Sequence, residues 1–302
     1  MAPLFSVLMP THNRADVLGY AIQSVLWQSA PDFELLIVGD GCTDNTADVV
    51  ARYKDPRIRW FDLPKAPYFG YANRNIALRE ARGEYVAFAA HDDLLLPDHL
   101  ALLGGEAVRT QAEWLYSRPV WVASDGVVVP SMVNLHNTDE LHSFLTHYNS
   151  IPASCVLHRR DCLDKYGYWP EQVAVAADWK LWIRMIEGGG RARFAYCPTP
   201  STLHFRAIWQ SDRAIGSTIM AAALGHAESS WWPRDLRLPI PTSVREQAVF
   251  FDEIAERDYT SRLRRATGDY LDRLSFDYLS MSNSRAWQIA KRVRAWRRQF
   301  MS

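Results

Sequence analysis

Residues 6–46 read SVLMPTHNRADVLGYAIQSVLWQSAPDFELLIVGDGCTDNT, and the pattern of apolar residues in them indicates the fold class. The apolar run Phe5 to Met9 predicts a first strand, and apolar residues at helical spacing between Ala15 and Gln28 predict a helix. Phe33 to Val38 is a second apolar run. A strand, a helix and a strand in this order are typical of βαβ units, whose two strands are parallel.

The same alternation continues through the next 60 or so residues, by the spacing rules for strands and helices. We expect a strand at Ile58 to Phe61, a helix from about Tyr71 to Ala81, a strand at Tyr85 to Ala90, and a helix from Pro97 to about Thr110. The sequence therefore predicts an α/β protein with a mainly parallel sheet flanked by helices.

Beyond residue 110 the pattern is less regular. Trp114 to Val129 is typical of a hairpin with its turn at Ser124 to Gly126, and helices are expected near Asp139 to Tyr148 and Ala177 to Glu187. From about Ser211 the chain is mostly helical in pattern. These shifts divide the sequence into residues 1–110, residues 111–210 and a helical extension at residues 211–302.

The composition is that of a globular protein without a dominant charge. Hydrophobic residues make up 48% of the 302 residues and charged residues 23%, which excludes a largely disordered chain. Lys and Arg together number 34, and Asp and Glu also number 34. Because no net field attracts a polyanion, we expect no nucleic-acid partner.

The cysteines and the N-terminus bear on the compartment. The four cysteines form no CxxC pair, which argues against a zinc cage or a disulfide framework and favours a reducing compartment. The first residues, MAPLFSVLMPTHN, lack the basic and long apolar regions of a signal peptide. No segment approaches the roughly 18 apolar residues of a membrane span. We therefore expect a cytoplasmic protein.

Polar residues follow three of the predicted strands. Thr11, His12 and Asn13 follow the first strand, Asp40 follows the second, and the pair Asp92 and Asp93 follows the fourth. Ligands of open α/β sheets bind beyond the carboxyl ends of the strands. The sequence therefore predicts that these residues share one ligand-binding crevice.

Three segments together resemble the nucleotide-sugar-binding half of glycosyltransferase family 2. They are SVLMPTHNR at Ser6 to Arg14, ELLIVGDGCTDNT at Glu34 to Thr46 and ARGEYVAFAAHDD at Ala81 to Asp93. The resemblance covers about residues 4–103 closely and 150–206 loosely. It implies a GT-A-type fold with a Rossmann-like sheet, in which residues 1–110 bind the nucleotide sugar, residues 111–210 bind the acceptor and carry catalysis, and residues 211–302 form the helical extension.

The resemblance implies an inverting transferase that moves a sugar from a nucleotide diphosphate sugar, with a UDP-sugar as the expected donor. The acceptor would be a hydroxyl of a glycan, of a lipid-linked sugar or of a protein. A competing hypothesis keeps the fold but makes the chain a catalytically weak nucleotide- or carbohydrate-binding subunit, because Ala90 and Ala177 stand at two positions that are normally acidic in the family. No GxGxxG follows the first strand, which disfavours an NAD enzyme.

The resemblance implies a donor site at the strand ends. Asp40 would accept a hydrogen bond from the base, although an Asp-Gly pair is also a common turn. His12 stands where the family often has a Tyr that stacks on the base, and a solvated loop residue is the alternative. Arg74 would engage phosphate, against the alternative of an exposed helix arginine. The expected nucleotide-sugar ligands are Pro10, Thr11, His12, Asn13, Asp40, Arg74, Asn75, His91 and Asp92.

Mn²⁺ or Mg²⁺ is the implied cofactor, because a divalent cation neutralises a departing diphosphate. Asp92 and Asp93 match part of the family's acidic motif, whose first acid is Ala90 here. We expect Asp93 on the metal and Asp92 toward the ribose, with the reverse assignment left open. Paired acids also favour a helix N-terminus, which is the purely structural alternative. The expected metal ligands are Asp92, Asp93 and His204.

The segment AVAADWKLWIRMIEGG resembles the family stretch whose Asp is the catalytic base, and this match assigns that role to Asp178. Inversion at an anomeric carbon requires a base on the side opposite the leaving group. The neighbouring acid of the family is Ala177 in this chain. The alternative is that Asp178 only caps its helix.

The last predicted helix, Ser284 to Met301, carries six Lys and Arg residues and no acid, and aromatic and aliphatic residues alternate with them. This composition suits a helix that lies on an anionic membrane, here the inner face, and it suits equally a tail that docks on its own protein. Membrane contact would favour a lipid-linked acceptor.

Overall fold

A seven-stranded central sheet organises the part of the chain that the computed structural model describes, residues 2–205 and 225–282. In chain order the strands are β1 Phe5–Thr11, β2 Phe33–Asp40, β3 Ile58–Leu63, β4 Tyr85–Phe88, β5 Leu94–Leu95, β6 Trp114–Arg118, β7 Val120–Val122, β8 Val128–Pro130, β9 Val156–Arg159, β10 Phe194–Pro200 and β11 Thr202–Phe205. The central sheet has the order β10-β6-β9-β4-β1-β2-β3. Only β9 is antiparallel to its neighbours among these described strands, so the expected α/β class with a mainly parallel sheet is confirmed.

Helices cover both faces of this sheet. They are α1 Leu18–Leu26, α2 Thr46–Ala51, α3 Tyr71–Arg79, α4 His99–Thr110, α5 Thr138–Thr146, α6 Asp161–Tyr166, α7 Ala177–Gly189, α8 Glu246–Ala255 and α9 Tyr259–Ser282. In α1 the buried residues Leu18, Ala21, Ile22 and Val25 recur at helical spacing, as the sequence predicts. Its observed bounds are shorter than the predicted ones at both ends.

Side chains of β1 alternate between two hydrophobic cores. Val7 and Met9 pack on the face covered by α1 and α4, whereas Leu8 packs on the face covered by α3 and α7. Because both faces are covered, β1 and β2 are apolar along most of their length rather than alternating with polar residues. The predicted apolar runs therefore mark strands at the centre of the sheet.

The predicted single hairpin at Trp114 to Val129 is wrong. β6 lies in the central sheet between β10 and β9, and only β7 and β8 form a hairpin. Pro119 separates β6 from β7 and cannot donate a backbone hydrogen bond, which accounts for the break. Residues 111–210 thus contribute β6, β9 and β10 to the same sheet as residues 1–110.

A third core joins the smaller sheet, of order β5-β11-β7-β8, to the C-terminal helices α8 and α9. The described part of the predicted helical extension contains α8 and α9, which pack on the rest of the protein, whereas residues 227–245 are mostly turns and irregular chain. The expected helix at Ser284 to Met301 lies outside the described residues. Within residues 2–205 and 225–282, no helix combines the length and apolarity required to cross a bilayer.

Candidate active site

The carboxyl ends of β1, β2 and β4 lie side by side, because β1 pairs in parallel with the other two strands. Asn13 links the loops that follow β1 and β2. Its amide oxygen accepts hydrogen bonds from the backbone N–H of Thr43 at 2.7 Å and of Asp44 at 3.3 Å. Asn13 itself is left-handed with φ of 50°, a conformation that Asn tolerates better than most residues. The strand ends predicted to share one edge therefore do so.

The residues that precede Asn13 contribute polar groups to the same edge. His12 donates from Nδ1 to the carbonyl of Asp40 at 2.7 Å. The hydroxyl of Thr11 is buried and has no hydrogen-bond partner within the described residues. Since a buried hydroxyl without a partner is costly, Thr11 can accept or donate a bond to a ligand at this edge.

Asp40 is buried at the end of β2 and is already held by the chain. Its carboxylate accepts hydrogen bonds from Lys65 Nζ at 2.5 Å, from the backbone N–H of Ala66 at 2.8 Å and from Asn73 Nδ2 at 2.7 Å. Gly70, with φ of 72°, passes so close that a Cβ there would lie 2.5 Å from Asp40 Cγ. A carboxylate offers about four acceptor positions, so room for one further hydrogen bond remains.

His91 and Arg14 flank Asp92. His91 donates from Nδ1 to the carbonyl of Pro10 at 3.0 Å, and its Nε2 accepts a hydrogen bond from Arg14 Nε at 3.4 Å. Burial lowers the pKa of His91, so this histidine is neutral. Burial, and after it the charge of Asp93, raises the pKa of the Asp92 carboxyl. Asp92 keeps 15% of its side chain exposed.

Asp93 is closed off by protein donors. One carboxylate oxygen accepts hydrogen bonds from Ser154 Oγ at 2.5 Å and from His204 Nδ1 at 2.8 Å, and the other accepts one from the backbone N–H of Phe205 at 3.1 Å. The exposure of its side chain is 0%. Of the two acids, Asp92 is therefore the one that reaches solvent, and Asp93 holds His204.

His204 is positioned by Asp93 on one side and by Trp121 on another, whose ring lies edge-on at 4.6 Å between centroids. Burial opposes the charged form of this imidazole, but the carboxylate of Asp93 outweighs burial, and the pKa of His204 is raised. Histidines that bind metal ions commonly donate one ring N–H to a carboxylate and bind the metal through the other ring nitrogen.

The residues at this edge fit a metal site that protein and substrate form together, rather than one formed by protein ligands alone. Within the described residues, no three His, Cys, Asp or Glu side chains come together as a metal cage. Mg²⁺ and similar ions are usually held by one or two protein carboxylates, with substrate phosphates and waters completing the shell. Asp92 and His204, on either side of Asp93, suit that mode.

Arg74 and Asn75 lie in the first turns of α3. The guanidinium of Arg74 packs on two rings, at 5.0 Å from the centroid of Tyr71 and 4.9 Å from that of Trp169. The amide of Asn75 bonds Trp169 and Glu171. Arg74 is therefore not the exposed helix arginine of the alternative hypothesis, and the hydrogen-bonding groups of Asn75 are taken up by the chain.

Asp178 lies in the first turn of α7, where the backbone N–H groups of Trp179 and of Asp178 itself favour the ionised carboxylate. Burial raises its pKa, and the charges of Arg74 and His204 oppose this effect. The structure thus brings Asp178 within electrostatic reach of residues from α3 and β11. Ala176, just before the helix, is left-handed with φ of 58°.

Sequence reasoning missed four residues that support these groups, namely Lys65, Asn73, Ser154 and Trp169. Asn73 carried a usable signal, because it precedes Arg74 and Asn75 in one polar run inside an otherwise amphipathic helix. Lys65, Ser154 and Trp169 are far from their partners in sequence, so no local pattern points to them.

Comparison with known proteins identifies the family of the chain. The family model described as glycosyl transferase family 2 matches residues 6–167. Among curated proteins, the chain is 41% identical over 100 residues to the putative teichuronic acid biosynthesis glycosyltransferase TuaG of Bacillus subtilis, covering 32% of this chain and 39% of that protein. It is 29% identical over 125 residues to the UDP-Glc:alpha-D-GlcNAc-diphosphoundecaprenol beta-1,3-glucosyltransferase WfgD of Escherichia coli, covering 41% and 49%. The chain therefore spans less than two thirds of these relatives.

Solved structures share the fold. TarS 1-349 of S. aureus in complex with UDP superposes with a TM-score of 0.56 at 18% identity, covering 89% of this chain and 91% of that one. The complex of the same protein with UDP-GlcNAc gives a TM-score of 0.57 at 22% identity, covering 67% and 58%. At such identity the likeness concerns the fold alone.

Proposed function

The chain belongs to glycosyl transferase family 2, and from this we propose that it transfers a sugar from a nucleotide diphosphate sugar to an acceptor hydroxyl with inversion at the anomeric carbon. One observation carries the proposal. Asp178, from the second half of the chain, shares an electrostatic environment with Arg74 and with the His204 and Asp93 pair, beside the strand ends that hold Asp40 and Asp92.

The donor nucleotide would lie along the ends of β1 and β2. Thr11 offers a buried, unpartnered hydroxyl, His12 a flat ring and Asp40 one remaining acceptor position. Pro10, Asn13 and His91 would shape the loops around it. We propose a UDP-sugar as donor, which the printed substrate of WfgD and the UDP complex of TarS support by analogy.

Mn²⁺ or Mg²⁺ would be held by Asp92 and by the second ring nitrogen of a neutral His204. The bound cation would neutralise charge on the departing diphosphate. Asp93 would orient His204 from behind through its hydrogen bond to Nδ1. This assignment makes Asp92 the main carboxylate ligand, the alternative that the sequence left open.

Asp178 would act as the general base. It would take the proton of the acceptor hydroxyl while that oxygen forms a bond to the anomeric carbon, as the bond from this carbon to the diphosphate oxygen breaks. The raised pKa of its carboxyl makes it a stronger base than an ordinary aspartate. The positive charge of Arg74 favours its ionised form.

The acceptor would be a glycan or a lipid-linked sugar. WfgD acts on a diphosphoundecaprenol-linked sugar by its printed name, which supports a lipid-linked acceptor by analogy. Peripheral membrane contact would depend on the basic segment Ser284 to Met301, for which the sequence predicts a helix and which lies outside the described residues.

The test measures release of nucleotide diphosphate from a panel of UDP-, dTDP- and GDP-sugars with Mn²⁺ and with glycan or lipid-linked acceptors. We expect Asp178→Asn to lower the transfer rate by about 10² to 10⁴-fold and to leave UDP affinity, measured by calorimetry, unchanged. Asp139→Asn is the matched control, because Asp139 occupies the first turn of α5 as Asp178 does in α7. A wild-type protein that binds UDP-sugars but releases no diphosphate with any acceptor would instead be a binding subunit.

A further inference from the structure

Helix α8 is fastened to two segments that carry active-site residues. The ring of Phe250 packs edge-on against the ring of Phe205, with 5.6 Å between centroids, and the backbone N–H of Phe205 is one of the donors to Asp93. Just before the helix, Arg245 Nη2 donates to Asp16 Oδ2 at 2.8 Å, in the loop that follows β1. The C-terminal helical extension therefore reaches the carboxyl edge of the central sheet.

Gln247 brings α8 into contact with Asp92. It lies three residues before Phe250, so the two side chains lie on one face of the helix. Gln247 Nε2 donates to the backbone carbonyl of Asp92 at 3.4 Å. The residue is 6% exposed, and its Oε1 is buried without a hydrogen-bond partner within the described residues. Because the carbonyl of Asp92 can only accept, the amide nitrogen faces it, and Oε1 is the unpartnered atom.

Gln28 shows how this chain holds a buried glutamine that serves the fold. It is also 6% exposed, yet its Oε1 accepts the backbone N–H of Leu100 at 2.9 Å. Its Nε2 donates to the carbonyls of Ser24 at 3.1 Å and of Leu96 at 2.8 Å. Since a buried oxygen without a partner costs free energy, the unfilled Oε1 of Gln247 favours a ligand-binding role.

The chemistry of the unpartnered atom limits the ligand. An amide oxygen only accepts hydrogen bonds, so the ligand must supply an O–H or an N–H. The diphosphate of a nucleotide sugar carries no such hydrogen at neutral pH. The base proposed at Asp40 lies at the end of β2, and β1 separates β2 from β4, which Asp92 follows. The hydrogen donors that remain in every nucleotide sugar are the hydroxyls of the ribose and of the sugar.

We propose that Gln247 binds the nucleotide sugar, and that its Oε1 accepts a hydrogen bond from a ribose or sugar hydroxyl of the ligand bound beside Asp92. The contact of Nε2 with Asp92 is long, and the terminal torsion of a glutamine is broad, so the amide turns readily toward a ligand. The inference rests on the proposed function. It assigns a role to a helix beyond residues 6–167, which the family model matches.

A purely structural role for Gln247 has a different consequence. If its amide only fastened α8 to the loop after β4, its removal would disturb Asp92 and weaken the binding of every nucleotide to the same extent. A bond to a hydroxyl is lost only with ligands that carry this hydroxyl. A series of nucleotides that differ in their hydroxyls therefore separates the two roles.

The first experiment measures the Kd of Gln247→Leu and of the wild type by calorimetry in the presence of Mn²⁺. The ligands are 2′,3′-dideoxy-UDP, which lacks both ribose hydroxyls, UDP, and the tightest-binding of UDP-glucose, UDP-galactose and UDP-N-acetylglucosamine. Loss of a hydrogen bond of ordinary strength weakens binding by about threefold to tenfold. We expect the variant to lose at least about threefold more affinity for the UDP-sugar than for dideoxy-UDP.

The result with UDP identifies the hydroxyl. A loss with both UDP and the UDP-sugar assigns the bond to the ribose, and a loss with the UDP-sugar alone assigns it to the transferred sugar. Equal changes with all three ligands, or no change with any of them, overturn the proposal. Weak binding of dideoxy-UDP is measured by competition against UDP.

The second experiment compares Gln247→Leu with Gln28→Leu by thermal denaturation. Gln28→Leu removes three hydrogen bonds, so we expect its Tm to fall by at least about 4 °C and its UDP Kd to stay within about threefold of the wild type. Gln247→Leu removes an oxygen that had no partner and should keep its Tm within about 2 °C of the wild type. A fall in Tm like that of Gln28→Leu, without a ligand-specific loss of affinity, overturns the proposal.

Both experiments remain decisive when a variant is unstable or transfer is absent. Gln247→Met, whose side chain is close in length to glutamine, replaces Gln247→Leu where the latter fails to fold by circular dichroism. Failure of both variants to fold makes Gln247 a structural residue and overturns the proposal. A wild-type protein that binds no UDP-sugar contradicts the proposed function, whereas a wild type that binds them equally to its Gln247 variants contradicts this inference alone.

Discussion

Buried acids lie at both ends of the central sheet, and their environments differ. At the amino end of β2, Glu34 accepts hydrogen bonds from Ser6 and from Arg59 and Arg82. Burial by itself raises the pKa of Glu34, but these donors outweigh burial and the pKa is lowered. At the carboxyl end, burial prevails and raises the pKa values of Asp92 and Asp178.

The difference separates stability from function within one sheet. Glu34 has its hydrogen-bonding capacity filled and ties the start of β1 and the residues before β4 to β2. The favourable neighbours of Asp92 and Asp178 do not outweigh burial, and carboxylates with raised pKa values that can still reach a ligand are typical of reactive sites. Asp93 belongs to the carboxyl end by position but resembles Glu34 in its filled hydrogen bonds.

Substitution at the amino end should produce the largest change in stability. In Glu34→Gln the two arginines lose a buried counter-charge, and we expect a loss of about 3 kcal/mol in the free energy of unfolding, measured by urea denaturation. Glu80→Gln is the matched control, since Glu80 also pairs with Arg59 but is more than half exposed, and should cost less than about 1 kcal/mol.

Donor binding sharpens the same prediction. UDP affinity of folded Glu34→Gln should equal that of the wild type, because Glu34 lies at the opposite end of the sheet from Asp40. A weakened UDP affinity at unchanged stability would show that the amino end also serves ligand binding, and the comparison would fail.

Asp93 tests the intermediate case. In Asp93→Asn the partner of His204 loses its charge, and removal of such a supporting group typically weakens metal binding by about 10 to 100-fold. We expect that loss for Mn²⁺ measured by calorimetry in the presence of UDP, with Asp139→Asn as the control. Equal Mn²⁺ affinity in Asp93→Asn and wild type would make Asp93 a purely structural residue like Glu34.

The smallest expected effect is that of Asp178→Asn on the free energy of unfolding, and its sign is opposite to that of Glu34→Gln. The folded pKa of Asp178 lies above its unfolded value, so its ionised form opposes folding at neutral pH and this penalty vanishes as pH falls. Asp178→Asn should therefore raise the free energy of unfolding at pH 7 by at most about 1 kcal/mol. Glu34 has the opposite shift, and its contribution to stability is lost as pH falls through its lowered pKa.

Urea denaturation of both variants and the wild type from pH 7 to about pH 3, below the ordinary range of a Glu carboxyl, provides the measurement. As the pH falls, the difference in free energy of unfolding between each variant and the wild type should become smaller. At pH 7 this difference is a stabilisation for Asp178→Asn and a destabilisation for Glu34→Gln. A destabilised Asp178→Asn at pH 7 would mean that Asp178 contributes to the fold as a helix cap, and the distinction between the two ends would lose its energetic basis.

The strand-end residues were predictable because they follow apolar runs directly. Thr11, Asn13, Asp40 and Asp92 all lie at the edge that the βαβ alternation predicts. The position of β6 in the central sheet was not predictable. Its backbone groups pair with β9 and β10, which lie far along the chain. Strand pairing of this kind leaves no local periodicity to read.

The sequence by itself determined the alternation of strands and helices, and hence which polar residues gather at one edge, because periodicity and strand direction are local properties of the chain. The tertiary structure decided which of those carboxylates is buried and hydrogen-bonded by the chain and which remains accessible to a ligand. Asp93 accepts hydrogen bonds from Ser154 and His204, which lie 61 and 111 residues away in sequence. The ionised form of Asp178 is favoured by the charge of Arg74, which belongs to another helix. Burial and charge partners set the chemistry of a carboxylate, and both depend on contacts that exist only after the chain has folded.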